Sequence, residues 1–236
     1  MKALILNSGL GHRMGDITKT HPKCMTALYE NETILSRQLR LICKNSIKEV
    51  VITTGYFDQV LIDYCLSLNL PIEFKFINNP VYATTNYIYS IYCAKDELHD
   101  DVLLMHGDLV FDETVLQDIL LFPDSCMKVS STIPLPSKDF KAVVRSGRID
   151  KVGIEYFDDA MEAQALYKLK KHDWEIWLKE IAVFCENGNT GVYAENAFNQ
   201  VSNQCKIYAL DVKNRLCTEI DTPEDLTKVK EMLRNE

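Results

Sequence analysis

An α/β fold is predicted by three features of the sequence. Strand-like and helix-like segments alternate through the first 125 residues, a short apolar run at the start feeds a glycine-containing loop, and shorter, more clustered strands follow residue 126. Alternation of this kind implies βαβ crossovers and parallel pairing, because a strand that returns beside its predecessor in the same direction needs a connecting helix. The expected architecture is a Rossmann-like, mostly parallel sheet with helices on both faces and an antiparallel addition from the C-terminal half. A length of 236 residues suits a single domain spanning 1–236.

The elements follow in order. Residues 3–6 are apolar and read as a buried strand, and 33–44 carry Ile34, Leu35, Leu39 and Ile42 at helical spacing. Residues 49–54 are β-branched and end at Gly55. Residues 58–68 read as a helix with Asp58 as N-cap, 72–77 as a third strand, and 86–98 as a helix capped by Thr84 and Thr85. A fourth strand, 102–105, ends at His106-Gly107-Asp108, and 112–121 is helical. In the second half, 128–133 and 142–154 read as strands, the latter turning at Ser146-Gly147. Residues 173–185 form an amphipathic helix, 207–212 and 217–220 are short strands, and Thr222-Pro223-Glu224 opens a last helix with proline at its first position.

Composition removes several classes. A net charge of −8 argues against a nucleic-acid-binding surface, so any phosphate site must be local. The eight cysteines form no CxxC pair and no zinc spacing, and they read as small buried residues in a reducing compartment. The N-terminal apolar run is too short for a signal peptide and no stretch is long enough to span a membrane, so a cytoplasmic protein is expected. The sequence leaves a homodimer open.

The segment Leu6-Asn7-Ser8-Gly9-Leu10-Gly11-His12-Arg13-Met14-Gly15 follows a strand, where open α/β sheets place ligands. Glycines let backbone N–H groups approach phosphate oxygens, and Arg13 and Lys23 add fixed positive charge. A Walker loop is absent. A dinucleotide-binding turn fits poorly, since Gly15 is one position too far and the second strand ends Thr53-Thr54-Gly55 with no acidic residue for a ribose. Asp108 and Asp221 each close a predicted strand on the ligand edge. Mg²⁺ is usually held by one or two carboxylates plus substrate phosphates, although a strand-end turn explains Asp108 and a helix cap explains Asp221 equally well in isolation.

The loop, together with Thr18-Lys19 and His21-Pro22-Lys23, resembles the signature of nucleotidyltransferases of the sugar-nucleotide pyrophosphorylase type. Asn7 and Ser8 stand where that family more often has alanine. The resemblance implies that Leu6, Asn7, Ser8, Gly9, Leu10 and Gly11 wrap a nucleoside triphosphate. It further implies that Arg13 and Lys23 neutralise charge during transfer, and that Asp108, after Gly107, and Asp221 hold Mg²⁺.

Asn78-Asn79-Pro80-Val81-Tyr82 and the helix start Asn86 to Ser90, with Gly55-Tyr56 before them, are similar to the small-metabolite cytidylyltransferase branch, which acts on phosphocholine, aminoethylphosphonate and phosphoglutamine. Asn86, Ser90 and Gly107 would then line the nucleotide. The resemblance implies transfer of CMP from CTP to a small phosphorylated or phosphonate metabolite, with 1–125 the nucleotide-binding half and 126–236 the acceptor-binding half. The rival within this chemistry is a sugar-1-phosphate nucleotidyltransferase using UTP or dTTP, and the rival outside it is a non-catalytic nucleotide sensor. In the second half, Lys141, Arg145, Lys151 and Lys168 offer anion anchors, and Trp174 with Trp177 offers either an aromatic wall or plain core.

Overall fold

The computed structural model describes residues 1–234. Its centre is β1 (Lys2–Leu6), flanked in parallel by β4 (Glu49–Thr54) and β6 (Val102–His106), with β5 (Glu73–Asn78) parallel to the outer edge of β4. Beyond β6 the sheet continues through β11 (Ala160–Leu169), β8 (Ser125–Ser130), β12 (Ile207–Asp211), β10 (Arg148–Gly153) and β9 (Lys141–Arg145), giving nine strands. The sheet is therefore mixed: parallel across the N-terminal four strands and between β8 and β12, antiparallel where β11, β10 and β9 join.

The period-two pattern of β1 sets the two layers. Ala3 and Ile5 pack under α1 (Ile34–Lys44), α2 (Asp58–Ser67) and α4 (Glu113–Leu121). Leu4 and Leu6 face α3 (Tyr87–Ala94), α5 (Lys171–Glu186) and α6 (Ala194–Val201). Apart from the main sheet, β7 (Leu109–Phe111) pairs with β13 (Cys217–Glu219), and this ribbon carries the chain into α7 (Pro223–Leu233). A small hairpin of β2 (Ala27–Tyr29) and β3 (Glu32–Thr33) follows the loop. Met14 of the loop, Leu28, Val110, Ile220 and Leu226 form a third apolar cluster that seats α7 against the loop.

Of three helix-start expectations, one holds and two do not. Thr222 caps α7 with Pro223 behind it, as expected, and its side chain accepts from the Asp225 N–H. Asp58 is not an N-cap: it lies in the first turn of α2, after Phe57, and its carboxylate accepts from the Thr54 hydroxyl at the end of β4. Thr84 and Thr85 do not cap α3. Asn86 does so with its own side chain, which accepts from the Tyr87 N–H at 2.7 Å, while Thr85 Oγ1 accepts from Asn79 Nδ2.

The candidate acceptor groups of the second half find partners within the protein. Trp174 and Trp177 are fully buried, and their indole N–H groups donate to Leu98 O and Ala194 O, so they are core and not a ligand wall. Lys141 donates to Pro136 O and Asp139 O, Lys151 to Asn199 O, and Lys168 to Leu120 O and Phe122 O. Arg145 is exposed and pairs with Asp150. These cations satisfy carbonyls and one surface carboxylate, as buried polar groups must.

Candidate active site

The carboxyl ends of β4, β1 and β6 lie side by side, and the glycine loop leaves from the middle one. Asn7 N–H donates to both Thr53 O and Thr53 Oγ1, Ser8 Oγ donates to Thr53 Oγ1 at 3.1 Å, and Gly107 N–H donates to Leu6 O at 3.0 Å. Two glycines make this fit. A Cβ on Gly55 would lie 2.4 Å from Ser8 O, and one on Gly107 would lie 1.6 Å from Asn7 Oδ1. Gly11 turns the loop at φ +68°, a conformation that side-chain-bearing residues rarely adopt, and Thr18 Oγ1 locks the turn by donating to Gly11 O.

The loop then delivers two cations to two carboxylates. Lys23 Nζ bridges Asp108 Oδ2 and Asp221 Oδ1, the latter at 2.7 Å, and Arg13 Nη2 lies 2.8 Å from the same Asp221 oxygen. Lys23 is half-buried and Arg13 is exposed. Burial alone would lower the Lys23 pKa, but the charges of Asp108 and Asp221 outweigh it and hold the ammonium above its ordinary range. Burial works against ionisation of Asp108 as well, yet the Lys23 charge, then His106, keeps its carboxyl below the usual range. His106 Nδ1 lies 2.7 Å from Glu219 Oε1. Burial opposes protonation of this imidazole, but Glu219 pushes its pKa up to about 9.

Three connected hollows surround Asp108. The first, about 360 Å³, holds the glycine loop, Arg13, Lys23 and Asp221. The second, about 180 Å³, sets the amides and hydroxyls of Ser8, Asn79, Tyr82, Asn86 and Ser90 beside His106 and Asp108. The third, about 230 Å³, opens from Arg13 and Asp221 toward Tyr87, Asp139, Phe140, Tyr193 and Glu219. The fold thus brings Leu6, Asn7, Gly9, Leu10, Gly11, Arg13, Lys23, Asp108 and Asp221 into one hollow, and Ser8, Asn86 and Ser90 into its neighbour. Ser90 is nearly closed off and accepts from Asn79 Nδ2. Gly107 lines none of the three and acts from beneath, as the seat of Asn7.

A family model described as a MobA-like NTP transferase domain matches residues 3–122, just over half of the chain. The chain belongs to the MobA-like NTP transferase family. It is 32% identical over 126 residues to a CTP:phosphoglutamine cytidylyltransferase of Campylobacter jejuni, an alignment covering 51% of this chain and 48% of that protein. It is 27% identical over 165 residues to a CMP-5'-(3-aminopropyl)phosphonate synthase of Streptomyces rubellomurinus, covering 70% of this chain and 26% of that one. The chain therefore spans about half or less of the length of these two relatives. A solved structure of CTP:phosphocholine cytidylyltransferase from Streptococcus pneumoniae superposes with a TM-score of 0.77 at 20% identity over 98% of each chain, a likeness of fold.

Several residues of this MobA-like NTP transferase site escape a reading of the sequence. Tyr87, His106 and Glu219 adjoin residues that motifs single out, yet their place in the hollows depends on β7, β13 and α3 meeting. Asp139, Phe140 and Tyr193 come from a stretch without motif. Adjacency to Asn86, Asp108 and Asp221 was the available signal for the first three; Asp139, Phe140 and Tyr193 carry none.

Proposed function

We propose that this MobA-like NTP transferase moves the cytidylyl group of CTP to a small phosphorylated or phosphonate metabolite and releases pyrophosphate. The observation that supports this most is the convergence of Arg13, Lys23, Asp108 and Asp221 on one hollow beneath the glycine loop. CTP as the donor is favoured by the names of the relatives above and by the neutral amides and hydroxyls of the second hollow, which suit a base edge. In this reading residues 1–125 hold the nucleotide, and the acceptor enters the third hollow, to which 126–236 contribute Asp139, Phe140, Tyr193, Glu219 and Asp221. A cytoplasmic location belongs to the same reading; no described helix is long and apolar enough to cross a membrane.

The acceptor oxygen attacks the α-phosphorus in line, one P–O bond forms, and the bond to pyrophosphate breaks. A phosphate or phosphonate nucleophile is already ionised, so no side-chain base is needed. Lys23 and Arg13 neutralise the charge that develops on the phosphates, and the loop N–H groups fix their position.

A divalent cation fits the residues present. Asp108 Oδ1 is buried with no hydrogen-bond partner among the described residues, and Asp221 shares Lys23 with it. Carboxylate oxygens suit Mg²⁺, and Asp108 and Asp221 would hold it. Bound there, Mg²⁺ would supply further neutralisation of the triphosphate. His106, Asp108 and Glu219 also place one ligand atom each within 4.8 Å of one another, so His106 and Glu219 border the same position.

The test is pyrophosphate release with Mg²⁺ and each of CTP, UTP, ATP, GTP and dTTP against a panel of small phosphorylated metabolites. Release with CTP and one phospho-compound is expected. Release only with UTP or dTTP and a sugar phosphate overturns the assignment in favour of a sugar-nucleotide enzyme. Tight triphosphate binding with no release from any pair favours a sensor.

A further inference from the structure

We infer that Glu195 is a positioning residue, which fixes the ring of Tyr87 at the junction of the nucleotide and acceptor hollows. The inference rests on the functional reading given above for those hollows. Glu195 is the second residue of α6 and is 1% exposed. No lysine or arginine pairs with it among the described residues. Instead both carboxylate oxygens are taken by phenols: Tyr87 OH donates to Oε2, and Tyr167 OH donates to Oε1 at 2.9 Å.

A carboxylate buried with no lysine or arginine bonded to it is expensive, and an apolar side chain would fill a purely structural position at lower cost. What the charge adds is strength and direction. Hydrogen bonds to an ionised acceptor are shorter and stronger than neutral ones, and one carboxylate can hold two phenols at once. The two phenols differ in place. Tyr167 lies near the C-terminal end of β11, 1% exposed and packed edge-on against Trp177. Tyr87 opens α3, lines both the second and third hollows, and sets its ring edge-on to His106 at 4.7 Å. Glu195 thus ties a site residue to the rigid core. The same segment holds α3 a second time, since Asn86 N–H donates to Thr190 O at 2.8 Å. Tyr193, two residues before Glu195, forms the facing wall of the third hollow, 5.8 Å from Tyr87.

The variants Glu195→Gln, Tyr87→Phe and their combination test this, with Tyr167→Phe as the control that removes the other hydrogen bond of the same carboxylate. With CTP and the acceptor that supports turnover, each of the first two should raise the acceptor KM by about tenfold, the scale of a lost hydrogen bond to a charged group. The double variant should be no worse than either single one, because both break the same link. Tyr167→Phe should lower the melting temperature and leave the acceptor KM unchanged. Additive effects, or a Glu195→Gln protein with lowered stability and an unchanged acceptor KM, would overturn the proposal. A second readout needs no turnover. In protein labelled with 3-fluorotyrosine, the ¹⁹F resonance of Tyr87, assigned by its absence in Tyr87→Phe, should shift or split in Glu195→Gln. An unchanged resonance overturns the positioning role. A shifted resonance in a protein that releases no pyrophosphate with any pair keeps that role and overturns the functional reading instead.

Discussion

Lys23 Nζ lies 2.7 Å from Asp221 Oδ1, across 198 positions of sequence, and the same ammonium bonds Asp108. One half-buried cation therefore holds together the two carboxylates that suit a divalent metal. Lysine and metal compete for the charge of the same two carboxylates, and this competition is open to measurement.

In Lys23→Ala the two carboxylates lose their shared cation. Turnover should fall by about 10²–10³-fold, the usual cost of removing one group that stabilises transition-state charge. At the same time Mg²⁺ should raise the melting temperature of Lys23→Ala by more than it raises that of the wild type, because no ammonium opposes it. Scanning calorimetry in EDTA and in Mg²⁺ reads the second effect. Normal turnover in this variant would remove Lys23 from the machinery, and an equal Mg²⁺ response in both proteins would remove the metal from Asp108 and Asp221.

Gly55 and Gly107 support the loop from opposite sides, and they should not tolerate alanine equally. At Gly55 the new Cβ meets the Ser8 carbonyl at 2.4 Å, so the loop backbone itself must move. At Gly107 it meets the end of the Asn7 side chain, which can rotate away. Gly55→Ala should weaken CTP binding severely and Gly107→Ala less so. Combining Gly107→Ala with Asn7→Ala, which removes the colliding amide, should restore affinity toward that of Asn7→Ala alone. Isothermal titration with CTP checks all of these; equal losses in the two glycine variants would contradict the loop geometry.

The parallel half of the fold is legible in the sequence because β1, β4 and β6 are short apolar runs ending in glycine or a polar turn, and α1 carries clean helical spacing. The candidate site shares that legibility where residues sit at strand ends, as Asp108 and Asp221 do. β11 is not legible. Its residues, AMEAQALYKL, are mostly good helix formers without alternation. It becomes a strand because β6 and β8 pair with it on either side, and its polar residues find partners there, as Lys128 and Glu162 show. The missed α6 did carry a signal: Ala194, Ala197, Phe198 and Val201 recur at helical spacing and all are buried. Tyr87 and Glu195 could not be connected before folding, since 108 positions separate them.

The burial of Trp177 separates a core role from a ligand wall. It is packed against Tyr167, Trp174 and Phe198. Trp177→Ala should destabilise the protein by about 3–5 kcal/mol, the range for large aromatic truncations in a core, as read by urea unfolding. Any acceptor KM change should be small next to that loss. A stable variant with a greatly raised acceptor KM would return this residue to the binding site.

The thiols give a test of packing that is independent of function. Cys24, Cys65, Cys126, Cys185, Cys205 and Cys217 are buried, while Cys43 and Cys93 are half-buried. Burial pushes the thiols of Cys65, Cys126, Cys205 and Cys217 up to about 12 and that of Cys185 up to about 11. The sign is that of a desolvated acid: the neutral thiol is favoured, and the reactive thiolate is suppressed until pH approaches these values. With Ellman's reagent at about pH 8, where an ordinary thiol is already substantially ionised, the folded protein should therefore show no more than two reactive thiols, Cys43 and Cys93. All eight should react in guanidinium chloride. A fast phase of more than two thiols in the folded protein would mean that the layers on either side of the sheet open far more readily than their packing implies.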